Sequence, residues 1–184
     1  MTITPTPIEG LIIVTPRVFN DDRGYFFESF NETSFNDAVG YKVQFVQDNQ
    51  SFSTKGVLRG LHLQKGEHAQ AKLVRVTQGE VLDVAVDLRK GSATYGQYHG
   101  VLLSADNNKQ FFIPRGFAHG FIVLSDTAVF QYKCDNYYNK QAEGGLHFAD
   151  PDLAIDWNLP ADELLVSEKD KELPFLKNAT DFGF

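Results

Sequence analysis

The side chains suited to acid–base chemistry cluster in a few short stretches of this chain. Gly56-Val-Leu-Arg-Gly-Leu-His62-Leu-Gln64 sets Arg59 and His62 three residues apart in an apolar run. Simple alternation puts the two on opposite faces of a strand. Gly60 lies between them and permits a bulge or a close backbone approach that re-aims one of them. A surface arginine beside a hydrogen-bonded, half-buried histidine fits the same residues. Lys72 opens Lys72-Leu73-Val74-Arg75-Val76 and shares parity with Val74 and Val76. A lysine on an apolar face is costly unless paired or used, although its stem can also carry the ammonium out to water. Ile113-Pro114-Arg115-Gly116-Phe117-Ala118-His119 joins a rigid turn to a histidine at a strand start. Tyr132 shares the parity of Phe130 and Cys134, where a tyrosine packs more often than it reacts.

These side chains need a frame, and the pattern around them predicts strands. The 184 residues include 16 Phe and 7 Tyr, and β-branched runs recur between turn residues. Leu82, Val84, Val86 and Leu88 alternate with Val81, Asp83, Ala85 and Asp87, giving one clearly apolar face. Further strands are expected at 24–30, 57–63, 71–77, 97–104, 110–114, 118–124 and 128–134. Asn20-Asp21-Asp22, Gln78-Gly79, Lys90-Gly91 and Arg115-Gly116 are among the turns that divide them. Many short strands with few helices read as an antiparallel sandwich or barrel. Helices are expected over 31–39, with Asn31 as N-cap, and over 163–173. No linker or repeat interrupts the chain, so residues 1–184 read as one domain, with 136–184 wrapped around the outside.

Charge and cysteine content exclude several classes. The net charge is −7, which argues against coating nucleic acid or binding an anionic membrane. Residues 1–134 hold 13 basic and 13 acidic side chains, whereas residues 135–184 hold 4 and 11. The acidity therefore belongs to the expected outer wrap. One cysteine, Cys134, excludes a disulfide framework and a multi-cysteine metal site. Apolar runs are too short to span a bilayer, and the N-terminus lacks a signal-peptide layout. A cytoplasmic protein is expected.

Together the two histidine-bearing stretches resemble the signature motifs of cupins, small barrels whose first motif ends in His-x-His and whose second carries Pro-x-Gly-x-x-His. The second ligand position of the first motif is Gln64 here, a poor transition-metal ligand beside imidazole. No metal is expected, and His62 is left available as a base.

Six blocks in register then resemble one family, dTDP-4-dehydrorhamnose 3,5-epimerase. They are Asp22–Glu28, Phe45–Asn49, Gly56–His62, Ala71–Arg75, Gly116–Phe121 and Ser167–Asp170. The resemblance implies an all-β, cupin-type double-stranded β-helix (a jelly-roll barrel) with a few short peripheral helices. It implies that His62 removes the protons beside a ketone and that Asp170 orients it. Tyr132 would protonate the opposite face, and Lys72 would hold the C4 oxygen. Gln47, Asp48, Asn49, Arg59, His119, Glu143 and Lys169 match positions that hold the nucleotide, diphosphate or sugar, as do Arg23 and Glu28. Phe19 and Phe26 match aromatics beside the nucleotide, and Tyr138 a base-stacking position. The family further implies a homodimer in which residues 19–28 serve the partner's site. His68, His99 and His147 match no role.

The implied chemistry suits these residue types. Epimerisation beside a ketone proceeds through an enolate and needs no redox cofactor. A neutral histidine suits a base near pH 7, and a carboxylate fixes its tautomer. A lysine near the developing enolate oxygen stabilises charge that is larger in the transition state than in the ketone. Arginines suit a diphosphate through forked hydrogen bonds. The substrate implied is dTDP-4-dehydro-6-deoxy-D-glucose, with no nucleic acid or membrane partner. The nearest rival is a single-carbon epimerase or a ketoisomerase of another deoxysugar pathway. A metal-dependent cupin oxygenase and a non-catalytic nucleotide-sugar binding module are more distant ones.

Overall fold

The alternating segments do form strands, and a computed structural model describes them over residues 1–179 and 182–184. In chain order they are β1 (Thr2–Pro5), β2 (Ile12–Thr15), β3 (Phe19–Asp21), β4 (Gly24–Phe26), β5 (Gln47–Thr54), β6 (Val57–Gln64) and β7 (Lys72–Gln78). There follow β8 (Glu80–Asp87), β9 (Tyr98–Ser104), β10 (Gln110–Ile113), β11 (Phe117–Val123), β12 (Thr127–Cys134), β13 (Glu143–Gly145) and β14 (Leu165–Val166). The helices are α1 (Glu32–Val39) and α2 (Glu168–Lys171).

Two antiparallel sheets face each other as a jelly-roll barrel. One has the order β1-β2-β10-β7-β12-β5, the other β13-β6-β11-β8-β9, with β14 joining β6 in parallel. The hairpin β3–β4 stands apart as its own two-stranded sheet. Val74, Val76, Val81, Ala85, Phe111, Phe121 and Phe130 belong to the core that the two sheets share.

The β8 pattern resolves differently from its simplest reading. Its apolar set, including Leu82, Val84 and Val86, packs with Leu146, Leu153, Trp157 and Phe182 of the C-terminal wrap. The set carrying Asp83 instead faces the barrel interior with Val81 and Ala85, and Asp83 is fully buried. The wrap therefore consumes the apolar face, and the inside of the barrel receives the acid.

Helix α1 starts where expected. The Asn31 side chain accepts the Ser34 N–H at 3.1 Å, and Gly40 ends the helix in a left-handed conformation at φ +81°. Phe35 turns inward against Phe112 on the outer face of the first sheet. The helix expected over 163–173 shrinks to α2. Leu165 donates its N–H to Gly56 O at 2.8 Å, so this segment pairs with β6, and helix begins only after Ser167. The strand expected at 24–30 ends at Phe26. The pattern predicts none of β1, β2, β3, β5 and β13, and β3 extends into the expected turn at Asn20-Asp21-Asp22.

Candidate active site

Site geometry starts at the pairing of β6 with β11. His62 lies opposite His119, and the register slips between His119 and Phe121. Gly60 and Gly120 meet there so closely that a Cβ on Gly60 would sit 2.6 Å from Gly120 Cα. Gly60 also has φ +125°, a conformation open to glycine. This irregularity breaks the alternation, and Arg59 and His62 border the same cavity instead of opposite faces.

His62 Nε2 lies 2.6 Å from Asp170 Oδ1. Asp170 stands in α2, whose first turn has a Ser-x-x-Asp cap: Ser167 Oγ accepts the Asp170 N–H at 3.1 Å. The Gly60 N–H donates to Asp170 Oδ2 at 3.3 Å. Burial pushes the Asp170 carboxyl up. The His62 bond and charge, the Gly60 N–H and Ser167 outweigh it and hold the carboxyl below its usual range. The buried acid is thus held toward its ionised form beside a half-exposed imidazole, an arrangement that fixes the ring.

The opposing sheet supplies Lys72 from β7 and Tyr132 from β12. Lys72 Nζ lies 5.9 Å from the centre of the Tyr132 ring. Burial lowers the Lys72 ammonium, with Cys134 and Asp83 acting the other way. Burial also raises the Tyr132 phenol, reinforced by Cys134 and partly offset by Arg59. Behind them His119 Nε2 sits 2.9 and 3.1 Å from the two oxygens of Asp83, both residues being buried. Desolvation pulls His119 down and Asp83 up, each opposed by the other.

These groups border a cavity of two adjoining compartments. An inner one of about 400 Å³ is lined by Arg59, His62, Lys72, His119, Tyr132, Lys169 and Asp170, among others. An outer cleft of about 870 Å³ shares His62, Lys72, Tyr132 and Lys169 and adds Gln47, Asn49, Tyr138 and Glu143. At the rim Tyr138 OH donates to Glu143 Oε1 at 2.9 Å, and Lys169 Nζ to Glu143 Oε2 at 2.6 Å. Gln47 Nε2 donates to Asn49 Oδ1 at 3.1 Å, and Gln47 Oε1 accepts the Tyr138 N–H at 3.2 Å. Arg59 Nε donates to Ser53 Oγ at 3.2 Å.

Five expected site residues lie elsewhere. Asp48 alternates to the other side of β5, pairs with Lys133 at 3.0 Å and borders neither compartment. Phe19 and Phe26 face each other across the β3–β4 hairpin and are 51% and 70% exposed. Arg23 pairs with Asp21 at 2.6 Å, and Glu28 Oε2 accepts from Asn31 at 3.3 Å. None of these four borders this chain's cavity. Gln64, at the position of a cupin ligand, accepts the Asn139 N–H at 2.9 Å. Among the described residues no group of three or more His, Cys, Asp and Glu is arranged to hold a metal ion.

Asp83, Phe121 and Phe130 at or beside the cavity were missed. Asp83 looked like one of the polar positions of an exposed face, and nothing local distinguished the two phenylalanines from ordinary core.

A family model described as dTDP-4-dehydrorhamnose 3,5-epimerase matches residues 5–178. The dTDP-4-dehydrorhamnose 3,5-epimerase of Escherichia coli strain K12 is 56% identical over 173 residues, spanning 94% of this chain and 93% of that one. The crystal structure of the protein of that name from Elizabethkingia anophelis superposes with a TM-score of 0.94 at 56% identity, covering 97% of each chain. A Legionella pneumophila dTDP-6-deoxy-D-glucose-3,5-epimerase, in complex with dTDP-4-keto-L-rhamnose, gives 0.93 at 49% identity, covering 97% of this chain and 94% of its own.

Proposed function

The chain belongs to the dTDP-4-dehydrorhamnose 3,5-epimerase family, and from that premise we propose how its own residues perform the reaction. It converts dTDP-4-dehydro-6-deoxy-D-glucose to dTDP-4-dehydro-L-rhamnose by inverting C3 and C5. His62 takes the proton from the carbon beside the ketone, and Asp170 holds the ring and stabilises the imidazolium. Lys72 stabilises the negative charge that moves onto O4, charge that is larger in the transition state than in the ketone. Tyr132 returns a proton to the other face of the same carbon. The observation that carries this reading is the 2.6 Å contact between His62 and Asp170, with Tyr132 bordering the same cavity from the opposing sheet.

Arg59, His119 and Lys169 bind the sugar and diphosphate in this reading, and Gln47, Asn49, Tyr138 and Glu143 the nucleotide end. Phe19, Arg23, Phe26 and Glu28 serve the cavity of a second copy in a homodimer. Their support is a hairpin with two exposed aromatic rings that lies off its own chain's cavity. Asp48, which faces away from this chain's own cavity and pairs with Lys133, takes its nucleotide- or sugar-binding role in the same homodimer. The reading places the enzyme in the cytoplasm, in keeping with a free, buried Cys134. No helix among the described residues is long and apolar enough to cross a membrane.

The test supplies the purified protein with dTDP-4-dehydro-6-deoxy-D-glucose and couples it to an NADPH-dependent reductase of the L-rhamnose pathway. NADPH oxidation that requires this protein is expected; none at any protein concentration overturns the reading.

A further inference from the structure

The inward face of β5 is polar along its whole length. Gln47, Asn49, Ser51 and Ser53 alternate with the exposed Asp48, Gln50, Phe52 and Thr54. Gln47 and Asn49 line the outer cleft and Ser51 the inner compartment, whereas Ser53 borders neither. It is 5% exposed and lies across from Ala128, a residue of the core that the two sheets share. Packing alone would be served there by an alanine. The Ser53 hydroxyl has one partner among the described residues: Oγ accepts Arg59 Nε–H at 3.2 Å.

This bond crosses from the first sheet to the second and fastens Arg59 next to the irregularity at Gly60. Its chemistry differs from that of the other fastened cations. Arg23, Arg89 and Arg115 are each held by a carboxylate, as is Lys169 by Glu143 at the rim. Arg59 is held by a neutral oxygen and has no carboxylate partner among the described residues. A carboxylate would fix the guanidinium and also offset its charge, whereas a hydroxyl fixes it and leaves the charge whole. With Nε engaged, the two terminal nitrogens remain as a planar fork that matches two oxygens of a phosphate.

The following rests on the epimerase reading, in which Arg59 meets the sugar and diphosphate. We propose that Ser53 is a positioning residue: it holds Arg59 by Nε so that the fork stands ready, with its charge uncompensated, for the diphosphate of the ligand. An arginine stem ordered before binding spares the ligand the entropy of ordering it. The proposal also accounts for a hydroxyl at a buried position that touches neither compartment.

Isothermal titration of thymidine diphosphate over a double-mutant cycle tests this. Ser53→Ala should weaken binding by about 3- to 10-fold, the effect of one long side chain left for the ligand to order. Arg59→Ala should weaken it more. Adding Ser53→Ala to Arg59→Ala should bring no further loss, because no guanidinium is left to position. In steady-state kinetics Ser53→Ala should raise KM by a similar factor with far less change in kcat. If Ser53→Ala binds as the wild type does, or weakens binding equally with and without Arg59, the positioning role is overturned and the diphosphate reading of Arg59 stands. Unchanged affinity in Arg59→Ala overturns that reading and the proposal with it. If Ser53→Ala does not fold, Ser53→Cys, similar in size but with a weakly accepting sulfur, replaces it in the cycle with the same expectation.

Discussion

His62 and Asp170 are separated by 108 positions in sequence and by 2.6 Å in space. The contact depends on β14 pairing with β6, which delivers the cap at Ser167 and then the carboxylate to the strand that carries the histidine. The Gly60 N–H donates to that carboxylate as well, and Ser167 Oγ caps the helix that carries it by accepting the Asp170 backbone N–H. The proposed base is therefore assembled where a C-terminal segment closes on the barrel.

Replacing Asp170 by Asn should lower kcat by about 10²–10⁴-fold with far less change in KM, because the ring loses its orienting charge and not its place. Steady-state kinetics on a variant with a native circular dichroism spectrum checks this. A stability signature accompanies it. The Asp170 carboxyl is held below its unfolded value, so its stabilising contribution is full above the unfolded pKa of about 3.9 and fades as pH falls through the folded value. The gap between wild-type and Asp170→Asn unfolding midpoints should therefore close on acidification below about pH 4. A gap that widens there contradicts the assignment.

In the proposed mechanism Lys72 acts as a cation, and burial makes its proton easier to lose. Catalysis should decline on an alkaline limb below the ordinary lysine value of about 10.4. Neither neighbour provides a competing explanation, since the Tyr132 phenol is displaced upward and Cys134 is pushed up to about 11. Lys72→Arg should retain some activity and lose the limb, and Lys72→Met should lose about 10²–10³-fold in kcat. A wild-type kcat profile flat through pH 10 would rule the cationic role out.

Tyr132→Phe separates the two half-reactions. With His62 intact, the carbon acid should still exchange protons with solvent while inversion is largely lost. Deuterium should enter recovered substrate of unchanged configuration. A variant that inverts at the wild-type rate removes Tyr132 from the mechanism.

The β3–β4 hairpin predicts complementation between defective copies. His62→Ala and Arg23→Ala are each expected to be nearly inactive. Mixed after dissociation and reassembly, they should recover about a quarter of wild-type activity, because half the dimers are mixed and each mixed dimer holds one intact site. No recovery would place Arg23 outside the partner's cavity.

Much of this arrangement is legible in the sequence. Runs such as 57–63 and 118–124 alternate or stay apolar because both faces of these strands meet packed layers, and Asn31 announced its helix. Strand β5 was not legible for a physical reason: Gln47-Asp48-Asn49-Gln50 has no apolar face, since one side borders the cavity and the other pairs with residues such as Lys133. The expected 163–173 helix failed because its first half satisfies backbone groups by pairing with β6, which local periodicity does not encode. Asp83 was invisible because its strand has two buried faces, and the C-terminal wrap that covers the apolar one lies more than sixty residues downstream. The proposed catalytic residues are readable from the resemblance alone; their convergence needs the register slip at Gly60 and the closure of α2.

In the proposed mechanism one base and one opposed acid invert two carbons of the same sugar. It is tested most directly by running the wild-type reaction in D₂O and reading the product by NMR. Deuterium at both C3 and C5, each with inverted configuration, is the predicted result. Deuterium confined to one carbon, with the other unexchanged and uninverted, would contradict it.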